Sequence, residues 1–274
     1  MKRFEGYLLA SDIDGTLLAN DKINPRNIEA IRRFIEEGGV FALSTGRGIN
    51  ALSTVMEALG DLVGPSVVSN GTTVYDFQKG EAIIEKVTPD EVKDKVFDCI
   101  DRFESVGIEL HQGTDVYCYH RNNELDDHAK YEGFVHIQSN RETAKNIRWN
   151  KALCAGDNDE ELIKFSEELS KISDDIRVVH SCAVLNHKLR NYYEILPKGV
   201  SKASALKELC NILNIKEGGF LAIGDYFNDI EMLKAADIAA CPDNAIDEVK
   251  AICKFIGGSA ENGGVADFIE YIMK

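Results

Sequence analysis

The sequence predicts an α/β fold: a Rossmann-like, doubly wound parallel sheet with an inserted α+β cap domain. Three observations predict it. In the first and last thirds, short apolar runs alternate with helical patterns. The middle third changes texture, with helices set among hairpin-like strands. Polar clusters also recur where the apolar runs of the outer thirds end. A length of 274 residues accommodates two modest domains with real cores.

The elements follow in order. Tyr7–Ser11 reads as a buried strand, and Asn24-Pro25 supplies a cap followed by proline at the first helical position. Ile28, Ile31, Phe34 and Ile35 form the apolar stripe of that helix, which Gly38 closes. Val40–Ser44 is the next strand, Asn50–Leu59 a helix, and Ser66–Ser69 a third strand ending at Asn70-Gly71. Such alternation implies parallel strands with right-handed crossovers.

In the middle, Glu91–Ser105 and Glu160–Ile172 are helical. Ile108–Leu110, Val116–Tyr119, Lys151–Ala155, Arg177–Cys182 and Asn191–Leu196 are strands. The last third gives a helix at Ser201–Leu213, a strand at Phe220–Gly224 and a helix at Ile230–Ala236. It continues with a strand at Ile238–Cys241, a helix at Asp243–Cys253, a strand at Phe255–Gly257 and a closing helix at Val265–Met273. The core domain is therefore expected to comprise residues 1–84 and 191–274, with the inserted domain at 85–190.

Apolar content of 44% and charged content of 28% are ordinary globular values. A net charge of −15 argues against a nucleic-acid partner, which needs a basic face, and against an anionic membrane surface. Seven scattered cysteines without a CxxC pair read as reduced thiols rather than disulfides or a zinc site. The segment behind Met1-Lys2-Arg3 runs directly into Asp12 and Asp14, so it is not a signal peptide. No apolar stretch approaches the ~20 residues of a membrane span. A soluble, cytoplasmic protein is expected.

Asp12-Ile13-Asp14-Gly15-Thr16 carries the strongest chemical signal. In extended backbone, side chains two apart share a face. Two carboxylates crowded there invite a bound cation or one raised pKa, an arrangement suited to a nucleophile beside a proton donor. Thr45-Gly46-Arg47 follows the second strand and Asp225 follows Phe220–Gly224. In open α/β sheets ligands bind outside the carboxyl ends of the strands, so these three clusters are expected to converge.

With these residues in hand, the chain resembles the haloacid dehalogenase superfamily, and within it the capped (type IIB) Cof-type phosphatases. The resemblance rests on Asp12-x-Asp14-Gly15-Thr16, on Thr45 in Ser44-Thr45-Gly46-Arg47, on Lys202 in Lys198-Gly199-Val200-Ser201-Lys202, and on Gly224-Asp225-x-x-Asn228-Asp229. It implies that Asp12 is the nucleophile forming an aspartyl phosphate. Asp14 would be the general acid and then the general base. Mg²⁺ would be held by the Asp12 carboxylate, the Asp14 backbone carbonyl and Asp225, with Asp229 orienting that sphere. Thr45, Gly46, Lys202 and Asn228 would bind the phosphate, and Arg47 either touches substrate or makes a structural ion pair. The implied substrate is a small phosphorylated metabolite, sugar phosphates in particular.

Blander readings compete with these. A calcium loop needs a further acidic or amide position before its glycine, whereas Gly15 follows Asp14 directly. Lys198 competes with Lys202 but sits in a Pro-Lys-Gly turn. Lys202 opens a helix, against the dipole preference, which hints at function. Asp157–Glu161 precedes a helix and reads as its cap. The histidines lack zinc spacing, and Trp149 reads as packing in the inserted domain. Gly263-Gly264-Val265 and Cys241-Pro242-Asp243-Asn244-Ala245 depart slightly from the family pattern. The four motifs also fit a phosphosugar mutase using the same aspartyl phosphate, and more weakly a phospho-receiver or metabolite-binding regulator. His111–Tyr119 and Val184–Arg190 are positional candidates for substrate choice, and no signal speaks to oligomeric state.

Overall fold

The buried runs of the outer thirds build one parallel sheet in the computed structural model, which describes residues 2–185 and 188–274. Its strand order is Phe255–Ile256, Ile238–Cys241, Phe220–Ile223, Leu8–Ser11, Val40–Leu43, and every neighbouring pair is parallel. Leu8–Ser11 is buried along its whole length, which is why it reads as a continuous apolar run. From this central strand the chain first crosses to Val40–Leu43 and later returns on the opposite side at Phe220–Ile223. The topological switch point therefore lies between Leu8–Ser11 and Phe220–Ile223.

The helix Pro25–Glu36 starts where expected, with the Asn24 side chain accepting from Arg26 N at 2.9 Å. Its buried face is Ala30, Ile31 and Phe34 together with Asn27, whose Oδ1 accepts from Ala266 N at 2.9 Å. Ile28 and Ile35 fall at its margins. On the sheet, Leu8, Ala10 and Ala222 pack with Ala205, Leu206 and Leu209 of the helix Lys202–Ile212 and with Met232 and Leu233. Each fully buried leucine contributes about 1.5–3 kcal/mol.

Two expectations need correction, and one feature is new. Ser66–Val68 does not extend the parallel sheet. It pairs antiparallel with Thr73–Asp76 in a three-stranded sheet completed by Glu81–Glu85, and meets the parallel sheet through a single Ser44–Val67 bridge. The helix expected over Asp243–Cys253 is confined to Asp247–Lys250, because the Ile246 amide is drawn away to Asp225 O at 3.1 Å. The hairpin of Leu18–Ala19 and Lys22–Ile23 was not expected. Asn20 and Asp21 turn it with φ of 50° and 57°, a twist matched to antiparallel strands.

The middle third forms a six-stranded sheet in the order Ile137–Gln138, Asp115–Tyr119, Val106–Gln112, Lys151–Gly156, Lys188–Pro197, Ile176–Leu185. Its pairs are antiparallel apart from the parallel edge pair of Ile137 with Tyr117. One face packs Ile108, Leu110, Ala152, Cys154 and Ile195 against apolar residues of the helices Asp90–Ile100 and Asp159–Leu169, and the fully buried Trp149 belongs to that core. Asn158 caps the latter helix by accepting from Glu160 N and Glu161 N, as the acidic run suggested. The helices Asn123–Glu132 and Arg141–Asn146 escaped the sequence reading because both are too polar to show a stripe.

The sheet's opposite face is polar where Glu109, fully buried, accepts from His128 Nδ1 at 2.8 Å and His136 Nε2 at 2.7 Å. His111 Nε2 lies 3.6 Å away. The histidine contacts hold Glu109 well below the usual carboxylate range although burial alone would raise it, with His128 the strongest.

By contacts the chain divides into two units. One comprises residues up to Arg47, Leu52–Ile84 and Ser201–Lys274; the other Gly48–Ala51 and Glu85–Val200. Lys188–Pro197 falls in the second unit, where it pairs along its length with Ile176–Leu185. In the candidate stretch Val184–Arg190, Asn186 and His187 lie outside the described residues, as does Met1. Cys99, Cys118, Cys154, Cys210, Cys241 and Cys253 are free thiols.

Candidate active site

Sheet register brings the polar clusters together. Ser11 lies level with Ile223 on one side and Leu43 on the other, so the residues just beyond all three strands emerge at one edge. Asp12 leaves its strand with its amide on Ile223 O at 2.9 Å. Asp12 is 7% exposed, and its carboxylate accepts from Lys202 Nζ at 2.7 Å. The same ammonium donates to Asp229 Oδ1 at 2.6 Å. Asp12, Asp225 and Asp229 each present an oxygen within 4.8 Å of the others.

Lys202 opens its helix behind a capping box formed by Ser201 and Ser204. A cation there opposes the helix dipole, and two buried carboxylates outweigh that cost. Burial by itself would lower the Lys202 pKa, but Asp12 and Asp229 hold it above its ordinary value, so it stays charged. Lys198 lies exposed on its turn. Gly71 makes the approach of this helix possible. With φ at +102°, a Cβ there would lie 2.2 Å from Ser201 O, so only glycine lets the turn after Ser66–Val68 meet the start of the Lys202 helix.

The acids are pushed toward protonation. Burial raises Asp12 well above its usual range and Asp229 adds to this, against the pull of Lys202. Asp225 is pushed up to about 7, chiefly by burial and then by Asp229, against a hydrogen bond from Thr16. That bond, Thr16 Oγ1 to Asp225 Oδ1, measures 2.7 Å. Gly15, with φ of +78°, faces the same carboxylate, and a Cβ there would sit 2.4 Å from Asp225 Oδ2. Asp229 uses Oδ2 to accept from the amides of Asp225 and Tyr226 at 3.0 and 3.2 Å. Oδ2 thus builds the turn while Oδ1 holds Lys202.

This donor set fits a hard divalent cation: the clustered atoms are carboxylate oxygens, and the burial and mutual repulsion that raise two of their pKa values are offset by positive charge.

Asp14 is turned toward Arg47, which donates from Nε to Oδ2 at 2.8 Å and from a terminal nitrogen to Oδ1 at 2.6 Å. The two contacts form an ion pair between Arg47 and Asp14. Thr45 is 1% exposed, and its Oγ1 accepts from Arg47 N at 3.1 Å, which leaves its O–H to donate elsewhere. Gly46 lies against Asn70, whose Nδ2 would be 3.0 Å from a Cβ at Gly46. Asn228 is exposed on the turn Phe227–Asp229.

Two contributors were missed as such. The sequence marks Asn70-Gly71 as a strand end, and an Asn-Gly pair also signals positive φ. Asn244 stands out in the sequence only as part of a small-residue turn, yet its Nδ2 donates to Gly15 O at 2.8 Å.

The chain is similar to known proteins along nearly its whole length. The chain is 28% identical over 288 residues to 5-amino-6-(5-phospho-D-ribitylamino)uracil phosphatase YwtE of Bacillus subtilis, covering 97% of each chain. It is 25% identical to the HMP-PP phosphatase of Serratia proteamaculans, covering 97% of this chain and 95% of the other. Its fold is similar to the crystal structure of a haloacid dehalogenase-like hydrolase from Bacteroides thetaiotaomicron, with a TM-score of 0.84, 25% identity and coverage of 97% and 99%. The family model for haloacid dehalogenase-like hydrolases matches residues 9–269, and the chain belongs to that family, in its Cof-type branch.

Proposed function

We propose that the protein is a Mg²⁺-dependent phosphatase of small phosphorylated metabolites, sugar phosphates among them, working through an aspartyl phosphate on Asp12. The observation that carries this reading is the buried Asp12 carboxylate held at 2.7 Å by the Lys202 ammonium within a cluster of three aspartates. Both curated relatives are named as phosphatases of small phosphorylated molecules. The net charge of −15 weighs against a nucleic-acid substrate. No helix among the described residues is long and apolar enough to cross a membrane.

Asp12 and Asp225, with the Asp14 carbonyl, would hold the cation, which supplies positive charge to the nucleophile and the phosphoryl oxygens when bound. An Asp12 oxygen attacks phosphorus while the ester P–O bond breaks, and Asp14 gives its proton to the leaving oxygen. Asp14 then takes a proton from water as that water attacks the aspartyl phosphate, freeing Asp12 and inorganic phosphate. Thr45 Oγ1–H, Gly46 N–H, Asn228 and Lys202 would neutralise the phosphoryl oxygens as charge shifts. For Asp14 to act, Arg47 must release its two oxygens.

Asp12→Asn tests the assignment. It removes the nucleophile at nearly constant volume, so phosphate release from a panel of sugar phosphates with Mg²⁺ should vanish while the circular dichroism spectrum is unchanged. Wild-type turnover in that variant would overturn the proposal.

A further inference from the structure

The short turn after the strand Ile238–Cys241 grips both acidic loops. Ile246 N donates to Asp225 O at 3.1 Å, and Asn244 Nδ2 donates to Gly15 O at 2.8 Å. The Oδ1 of Asn244 accepts from Ala260 N at 2.9 Å. The partners fix the amide's orientation: a carbonyl can only accept and a backbone N–H can only donate. The turn reached at Ala260 is itself fastened to the start of the helix Pro25–Glu36. Asn24 Nδ2 donates to Glu261 O at 2.7 Å and Arg26 to Asn262 O at 3.1 Å.

We propose that Asn244 is a positioning residue for the reaction assigned above, fixing the Gly15 peptide so that the Asp12–Thr16 loop meets Asp225 in register. The inference rests on that assignment. Gly15 packs closely against the Asp225 loop, since a Cβ there would lie 2.4 Å from Asp225 Oδ2. Its peptide directly follows that of Asp14. A rotation of the Gly15 carbonyl thus moves the acid/base and the loop bearing the nucleophile relative to Asp225. Asn244 is exposed, so water can satisfy the Gly15 carbonyl when the amide is lost. Water does not hold it in place, so the cost falls on geometry rather than on folding.

The two halves of the amide separate a positioning role from a structural one. Asn244→Asp keeps an acceptor for Ala260 N but has no donor for Gly15, whereas Asn244→Ala removes both. A misplacement of about 1 Å costs roughly a hundredfold, so both variants should lose about 10–100-fold in kcat with little change in KM. The Asp variant should melt with the wild type. Mg²⁺ titrated calorimetrically into the Ala variant should bind about tenfold more weakly, a shift of one decade in Kd. Wild-type kcat in Asn244→Asp, or unchanged Mg²⁺ affinity in Asn244→Ala, would overturn the inference. If the wild type itself released no phosphate from any ester, the assigned reaction would fall, and the Mg²⁺ titration would still decide the role of Asn244.

Discussion

Replacing Lys202 with methionine probes the charge balance of the site most severely. The ammonium lies 2.7 Å from Asp12 and 2.6 Å from Asp229, and all three side chains are buried. At an effective dielectric near 20, one such contact is worth about 6 kcal/mol of gross attraction. The burial cost of the charges offsets much of this, and removing one partner of a buried pair typically costs about 3–5 kcal/mol. Asp12, whose pKa burial and Asp229 already raise, can take up a proton once Lys202 is gone, which puts the expected loss at the lower end. At about 2–4 °C per kcal/mol, the melting temperature of the metal-free protein should fall by roughly 6–12 °C. MgCl₂ should recover part of that fall by supplying countercharge, while turnover stays lost. Thermal melts with and without MgCl₂, run beside a phosphate-release assay, measure both effects. An unchanged melting temperature without metal would refute the account of Lys202 as the buried counter-ion.

Other outcomes follow from the same geometry. Asp225, raised to about 7, holds a proton in the metal-free fold that the unfolded chain gives up near pH 4. Metal-free stability should therefore fall as pH rises toward 7, and the melting shift produced by Mg²⁺ should be larger at pH 8 than at pH 5.5. Glu109→Gln should cost the inserted unit about 3–5 kcal/mol, as breaking a buried ion pair does, read by chemical denaturation. Glu109 lies well below 4.5 and His128 above 6.5, so that pair's contribution is complete between those values. It is lost on the acid side as Glu109 protonates and on the alkaline side as His128 gives up its proton. Gly71→Ala should cost about 1–3 kcal/mol for backbone in the left-handed region. It should also lower kcat, because its Cβ would press on Ser201 O at the start of the Lys202 helix.

Part of the candidate site was legible because its residues follow buried strands. Asp12, Thr45 and Asp225 sit where apolar runs stop, and a parallel sheet with level register brings such ends together. Lys202 could be singled out because it violates the helix-dipole preference. Asn244 could not, since its partner Gly15 is far away in sequence and the hydrogen bond leaves no local pattern. The Glu109 cluster hid for the same reason: His128 and His136 reach it from a polar helix and the segment after it. Ser66–Val68 was misplaced because its composition suits either sheet, and its pairing was set by the turn through Asn70-Gly71. The helix over Asp243–Cys253 was overdrawn because periodicity cannot reveal that the Ile246 amide is committed to Asp225.

The central claim is that phosphate passes through Asp12, and the stereochemistry at phosphorus tests it most directly. With a phosphorothioate ester made chiral by two oxygen isotopes and hydrolysed in water of the third, two successive displacements, first by Asp12 and then by water, predict overall retention of configuration. Inversion would mean a single direct displacement and would contradict the account.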